Sequence, residues 1–422
     1  MRIEAVTFAI TALLKCASCQ NFSFLTDSER AGPELEVVHA YFGQWPTGIA
    51  VSSTGRLFSN YPGGLDPLNV YNGSNNVYTV GELTRTTTEA PYPSREINSP
   101  PGGAINYTTT PPTGANYQDY LIGVQSVVVD PIDRLWILDT GRVFTPGGKT
   151  LVQSAYGGPK LVGVDLSTDQ IFQTILFPQT VAFPDSYLND VRFDLRPAVT
   201  STGKGVAYIT DSSSEGRNGL IIVDLGTGES WRHVSATEAV RPDAGFVGWV
   251  SGQSIYYYDA TSSEATYFPI GSDGIALSAD GEDLFFCPLS SRRLYSVPTA
   301  LLRDTSSPAS ELRAQQGTAY RGQKGFSDGF ETDSNGFIYM GNFEQNAVVA
   351  FNPANGTVQT FVRDPRINWS DTFATSTDGY LYFTVNQLHL TGGTYPGTDR
   401  RVKPYALFRA KLPNGGSKVI LT

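Results

Sequence analysis

Three aspartates in this chain of 422 residues, Asp273, Asp328 and Asp371, hold the same place in three copies of one phrase. Thr47, Gln125 and Asn189 hold that place in three more. A converging set of carboxylates and amides with no lysine among them suits a cation, an amine or a hydroxyl-rich ligand. Crowded carboxylates also raise one another's pKa, so one can stay protonated near neutral pH and act as a general acid. Asp273, Asp328 and Asp371 are therefore the candidate catalytic residues. Thr47, Gln125 and Asn189 are candidate ligand-binding residues, joined by His389, which follows a predicted inner strand. The other two histidines, His39 and His233, read as structural, and there is no Ser-His-Asp spacing or histidine cluster. Asp and Asn also favour strand entries because they bond nearby backbone, so a structural role stays open for each position taken singly. No residue is assigned to a metal and no cofactor is required; Ca2+ is the ion that such oxygen ligands would suit.

The phrase that places these residues is an apolar strand, a tight polar turn and a second apolar strand. Asp273-Gly274-Ile275 leads to Asp280-Gly281 and then Leu284-Phe285-Phe286. Asp328, Asp371, Thr47 and Gln125 open similar phrases, and in these five copies the turn residue sits eight positions later. Glycine supplies the positive φ that such a turn needs. A sixth copy opens at Asn189-Asp190-Val191 and has a longer turn, through Ala198 to Gly205. A third strand follows in most copies, as in Leu161 to Asp165 and Leu220 to Asp224, and Ile171 to Leu176 and Val358 to Val362 are candidate fourth strands. Three or four antiparallel strands repeated six times predict an all-β, six-bladed propeller, in preference to a pair of sandwiches or a β-helix. The first residue of each phrase then enters an innermost strand, and the six form a ring at one mouth of the central channel. Two segments, about Pro62 to Gln118 and Val240 to Phe268, read as insertions. Glu34 to Tyr41 alternates like a strand and is expected to complete the last blade beside Tyr405 to Leu412, removing a free sheet edge.

Bulk properties agree with short strands and many turns. Charged residues make up 17% of the chain, and there are 43 Gly and 26 Pro but only 2 Met. The net charge of −10 and the lack of a basic cluster argue against nucleic acid and anionic membranes as partners, leaving a small molecule. Residues 1–19 read as a secretory signal: Arg2 precedes an apolar run from Ala5 to Leu14, too short to span a bilayer, followed by small residues. Residues 20–422 then form one propeller domain of a secreted protein. Asn21, Asn72, Asn106, Asn355 and Asn368 begin glycosylation sequons. Cys16 and Cys19 fall in the signal, leaving Cys287, which follows Leu284-Phe285-Phe286 and reads as a buried small hydrophobe.

Val129 to Gly141 (Val-Asp-Pro-Ile-Asp-Arg-Leu-Trp-Ile-Leu-Asp-Thr-Gly) resembles the Yellow / major royal jelly protein family. Ala207 to Ser212, Asp273 to Ser278, Pro288 to Thr299 and Asn386 to His389 carry further matching phrases. The resemblance covers about Val37 to Leu412, and the chain resembles the fungal branch. It implies a secreted six-bladed propeller whose relatives include pigment-related, amine-binding and nutrient proteins. Ile132 stands where insect members usually have Cys, which warns against carrying over an insect function. Related lactonase propellers hold an ion with Glu, Asn and Asp; the resemblance implies that Asn189, Asp273 and Asp328 could play those parts, but the first blade offers Thr47 rather than Glu. Two functions are expected. One is an enzyme of isomerase, tautomerase, cyclase or lactonase type acting on a small aromatic or polyketide-like metabolite in pigment or secondary-metabolite biosynthesis. The alternative is an extracellular protein that binds a small amine or phenol without changing it.

Overall fold

The computed structural model describes residues 26–422. Six four-stranded antiparallel sheets form the blades of a propeller. Blade 1 has strands Ala50–Val51, Leu57–Asn60, Val80–Arg85 and Thr88–Pro91. Blade 2 runs Val124–Val129, Arg134–Asp139, Lys160–Asp165 and Gln170–Leu176, and blade 3 runs Leu188–Asp194, Val206–Asp211, Gly219–Asp224 and Ser230–His233. Blade 4 starts at Ser272–Leu277 and blade 5 at Phe330–Thr332. In blade 6, Ser370–Thr375, Tyr380–Val385 and Tyr405–Lys411 are joined on the outside by Leu35–Tyr41 from the other end of the chain. That last pairing opposes Tyr41 to Tyr405 and Leu35 to Ala410, so both neighbours of the seam share one sheet.

The turns that the phrase requires are built as its residues dictate. Gly55, Gly281, Gly336 and Gly379 all have φ between 73° and 85°, and Asp133 holds the equivalent place at 66°. The inner strands are buried on both faces, and the apolar core lies between blades. Trp136, Leu138 and Leu161 of blade 2 pack on Val191, Phe193 and Ile209 of blade 3, and Trp136 stacks on Phe193 at 5.3 Å. Such packing is repeated around the ring.

The two segments read as insertions have different fates. Residues 80–91 lie within the first segment yet supply the two outer strands of blade 1. They are half-exposed and turn at Thr86-Thr87, with no Gly or Asn, so both the alternation and the turn signal are weak there. The second segment forms two small hairpins, Gly248–Val250 with Gln253–Ile255 and Tyr257–Asp259 with Glu264–Thr266.

At the far end of the channel a strap crosses the bottom of the blades. Ser417 N donates to Ser334 Oγ at 3.1 Å, Lys418 Nζ donates to the carbonyls of Val129 and Asp130, both at 2.9 Å, and Leu195 N donates to Leu421 O at 2.9 Å. Among the described residues no helix is long and apolar enough to cross a membrane. Asn72 and Asn355 are exposed, Asn106 and Asn368 are half-buried, and Asn21 and residues 1–19, read from the sequence as a signal, lie outside the described residues.

Candidate functional site

Four of the six inner strands break their pairing register where the phrase begins. The shifts fall between Val124 and Ser126, Leu188 and Val191, Ser272 and Ile275, and Ser370 and Phe373. A bulge of this kind re-aims a side chain away from the sheet face. Here it turns Gln125, Asn189, Asp273 and Asp371 toward the axis, and Asp328 comes in just ahead of its strand. These five line one cavity of about 140 Å3, together with Tyr187. Thr47 is not among the lining residues. It is fully buried behind them, where its hydroxyl accepts Asn60 Nδ2 at 2.9 Å. His389 also sits behind the wall, with its ring parallel to that of Trp369 at 5.9 Å. Burial, helped by Arg400, lowers its pKa to about 4, so the imidazole is neutral at ordinary pH.

The three carboxyls form one electrostatic unit. Burial holds all three well above the usual carboxylate range. Asp273 and Asp328 hydrogen-bond each other and titrate as one coupled pair. The negative charge of Asp328 adds to the rise at Asp371. Outer partners fix the groups: Trp369 Nε1 donates to Asp328 Oδ2 at 2.9 Å, Asn189 Nδ2 to Asp273 Oδ2 at 2.7 Å, and Asn386 Nδ2 to Asp371 Oδ2 at 2.6 Å.

Several residues at the site carry no mark in the phrase alone. Tyr187 donates its hydroxyl to Gln125 Oε1 at 2.9 Å. Arg142 lines the cavity but spends its guanidinium on Val152 O, Asp185 O and Glu215. Below the ring, the residue after each phrase head is Gly48, Ser126, Gly274, Gly329 or Thr372, and in blade 3 alone it is Asp190. Asp190 accepts Ser126 Oγ at 2.7 Å and Arg192 Nη1 at 2.8 Å, and Arg192 reaches on to Phe330 O. That odd carboxylate in the aligned copies was the signal available for this tier. Behind the Asp273 and Asp328 junction lies Lys324, buried, donating to Gly325 O at 2.9 Å, its pKa lowered by burial. At the mouth, Tyr257 pairs with Thr394 in an isolated β-bridge, Tyr258 N donates to Gly393 O at 3.0 Å, and Phe268 and Thr391 also line the cavity.

The profile of one protein family, described as Major royal jelly protein, matches residues 122–411, which include five of the six inner strands and every carboxyl of the ring. The chain belongs to this family. Major royal jelly protein 5 of Apis mellifera is 25% identical over 248 residues, covering 56% of this chain and 36% of the relative. Protein yellow of Drosophila melanogaster is 26% identical over 268 residues, covering 63% of this chain and 44% of the relative. The chain thus spans less than half the length of these major royal jelly protein relatives. Among solved structures, a luciferin-regenerating enzyme aligns with a TM-score of 0.49 at 11% identity, covering 92% of this chain and 97% of that one. A gluconolactonase from Xanthomonas campestris aligns with a TM-score of 0.46 at 13% identity, covering 92% of each chain.

Proposed function

We propose that this major royal jelly protein family member is a secreted enzyme that rearranges a small aromatic or polyketide-like metabolite by acid–base chemistry in the channel cavity. The observation that carries the reading is the Asp273–Asp328 pair. A pair holding one proton can give it to a carbonyl oxygen from one carboxyl while the other takes one from the adjacent carbon, which is the first half of a tautomerisation. Returning the proton at a new carbon completes an isomerisation, and attack on the same polarised carbonyl by an internal hydroxyl gives a cyclisation. Asp371, also protonated, supplies a second hydrogen bond to the developing oxyanion. No cofactor enters these steps. The apolar walls, among them Phe144, Phe268 and Leu388, suit a flat hydrophobic skeleton and exclude water. The apolar run near the N-terminus and the exposed sequons at Asn72 and Asn355 support secretion.

The same walls favour a second reading, a binder of a small phenol or amine. Asp328→Asn separates the two. For the enzyme it should cut turnover about 10²-fold or more while ligand affinity stays within a few-fold. Turnover is read as loss of a metabolite from an extract of a strain lacking the gene, after incubation with purified protein. An unchanged rate would sink the enzyme reading. An amine binder would instead release protons to the buffer on binding, because a bound cation ionises the carboxyls.

A further inference from the structure

Hydrogen-bond accounting at two amides of the cavity wall gives a more specific result than the carboxyls do. Gln125 is buried, and its Oε1 is taken by the Tyr187 hydroxyl at 2.9 Å. Tyr187 is held against Gly64, where a Cβ would approach its hydroxyl to 2.5 Å. The amide orientation follows from this partner, and it turns Nε2 of Gln125 toward the cavity with no protein acceptor among the described residues. Asn189, on the neighbouring blade, is set the opposite way. Its Nδ2 spends both hydrogens, on Asp273 Oδ2 at 2.7 Å and Ser212 Oγ at 2.9 Å. Its Oδ1 accepts nothing from the described residues and faces the cavity.

We propose that Gln125 and Asn189 form a fixed donor–acceptor pair that selects ligands presenting a carbonyl oxygen beside a hydroxyl, the edge of an enolised dicarbonyl compound or a hydroxypyranone. Gln125 Nε2 donates to the carbonyl and Asn189 Oδ1 accepts the hydroxyl. A ligand with two acceptors leaves Asn189 Oδ1 unpaired in the cavity wall and binds about tenfold or more weakly. Each amide is locked by a neighbouring wall residue, Tyr187 for one and Ser212 for the other, so neither can rotate to suit the wrong ligand without breaking that bond. The edge selected is the one an acid–base pair next to it would tautomerise. The inference therefore rests on the channel cavity being the working site and names its substrate class.

The test is equilibrium binding by calorimetry, with maltol and its methyl ether as probes at mildly acidic pH, where maltol is neutral. Wild-type protein should bind maltol about tenfold or more tightly than the ether, since the ether has no hydroxyl proton to give to Asn189. Asn189→Leu should bring the two affinities within about twofold of each other. Gln125→Met leaves Asn189 in place, so it should weaken both probes by a similar factor and keep their ratio; this variant stays informative if Asn189→Leu does not fold. A ratio near one in wild type, a ratio lost in Gln125→Met, a ratio kept in folded Asn189→Leu, or no binding of either probe would overturn the proposal. These readouts do not depend on turnover. A failed Asp328→Asn experiment with an intact maltol preference would remove the proposed chemistry and leave the selectivity standing.

Discussion

The ring carboxyls tie function to stability. In the folded chain Asp371 keeps its proton well above the ordinary carboxylate range, because burial disfavours its charge. Unfolded, it loses that proton near pH ~4. Between those limits the folded state binds more protons than the unfolded one, so this group's contribution to stability is fully present below pH ~4 and declines as pH rises through the folded value. Asp371→Asn should therefore raise stability at neutral pH by about 1 kcal/mol or more, with the gain vanishing below pH ~4; thermal melts of both proteins across pH check this. At this scale the sequence went far. One residue per phrase pointed to five side chains that share a cavity. Thr47 was drawn into the set by its place in the repeat and His389 by following an inner strand, and neither carries information about depth; one lies behind Asn60 and the other behind Trp369. Tyr187 and Lys324 were illegible because they reach the site from segments between phrases, through contacts that cross from one blade to the next.

At the scale of the strand, the site depends on how closely neighbouring inner strands approach. A side chain at Gly274 would collide with the Asp328 carbonyl, and a Cβ at Gly329 would lie 2.6 Å from Asp371 O. Both obstacles are backbone and cannot swing aside. Gly274→Ala should cost about 1–3 kcal/mol in urea denaturation and separate Asp273 from Asp328. Gly43→Ala, whose Cβ would meet nothing nearer than Glu89 Oε2 at 3.9 Å, should be close to neutral. The strand pattern also shows where sequence reading weakens. Five phrases with a Gly or Asp turn eight residues on were clear, while Val80–Arg85 and Thr88–Pro91 were hidden in a polar stretch. An outer strand needs little apolar alternation, since only part of it is covered.

The whole ring is held shut at one seam. Leu35–Tyr41 closes blade 6, and His39 extends the closure to blade 1 through Arg85 O at 2.7 Å and Glu89 at 2.8 Å. Leu35 and Tyr41 are buried there, worth about 2 kcal/mol each. Removing residues 26–41 should lower stability by at least about 4 kcal/mol and broaden the unfolding transition in calorimetry, because it opens an edge strand as well as a gap in the core. Sequence alternation alone pointed to the seam, whereas the link from His39 to blade 1 needed the fold.

The strap of Ser417 to Leu421 across the bottom of the blades has a kinetic consequence. With Lys418 tied to blade 2 and Leu421 to blade 3, and with Arg192 reaching from blade 3 to Phe330 above them, the axis of the propeller is a blind alley. A ligand that entered beside the Tyr257–Thr394 bridge would have to back out the same way, and its successor would wait until it had gone.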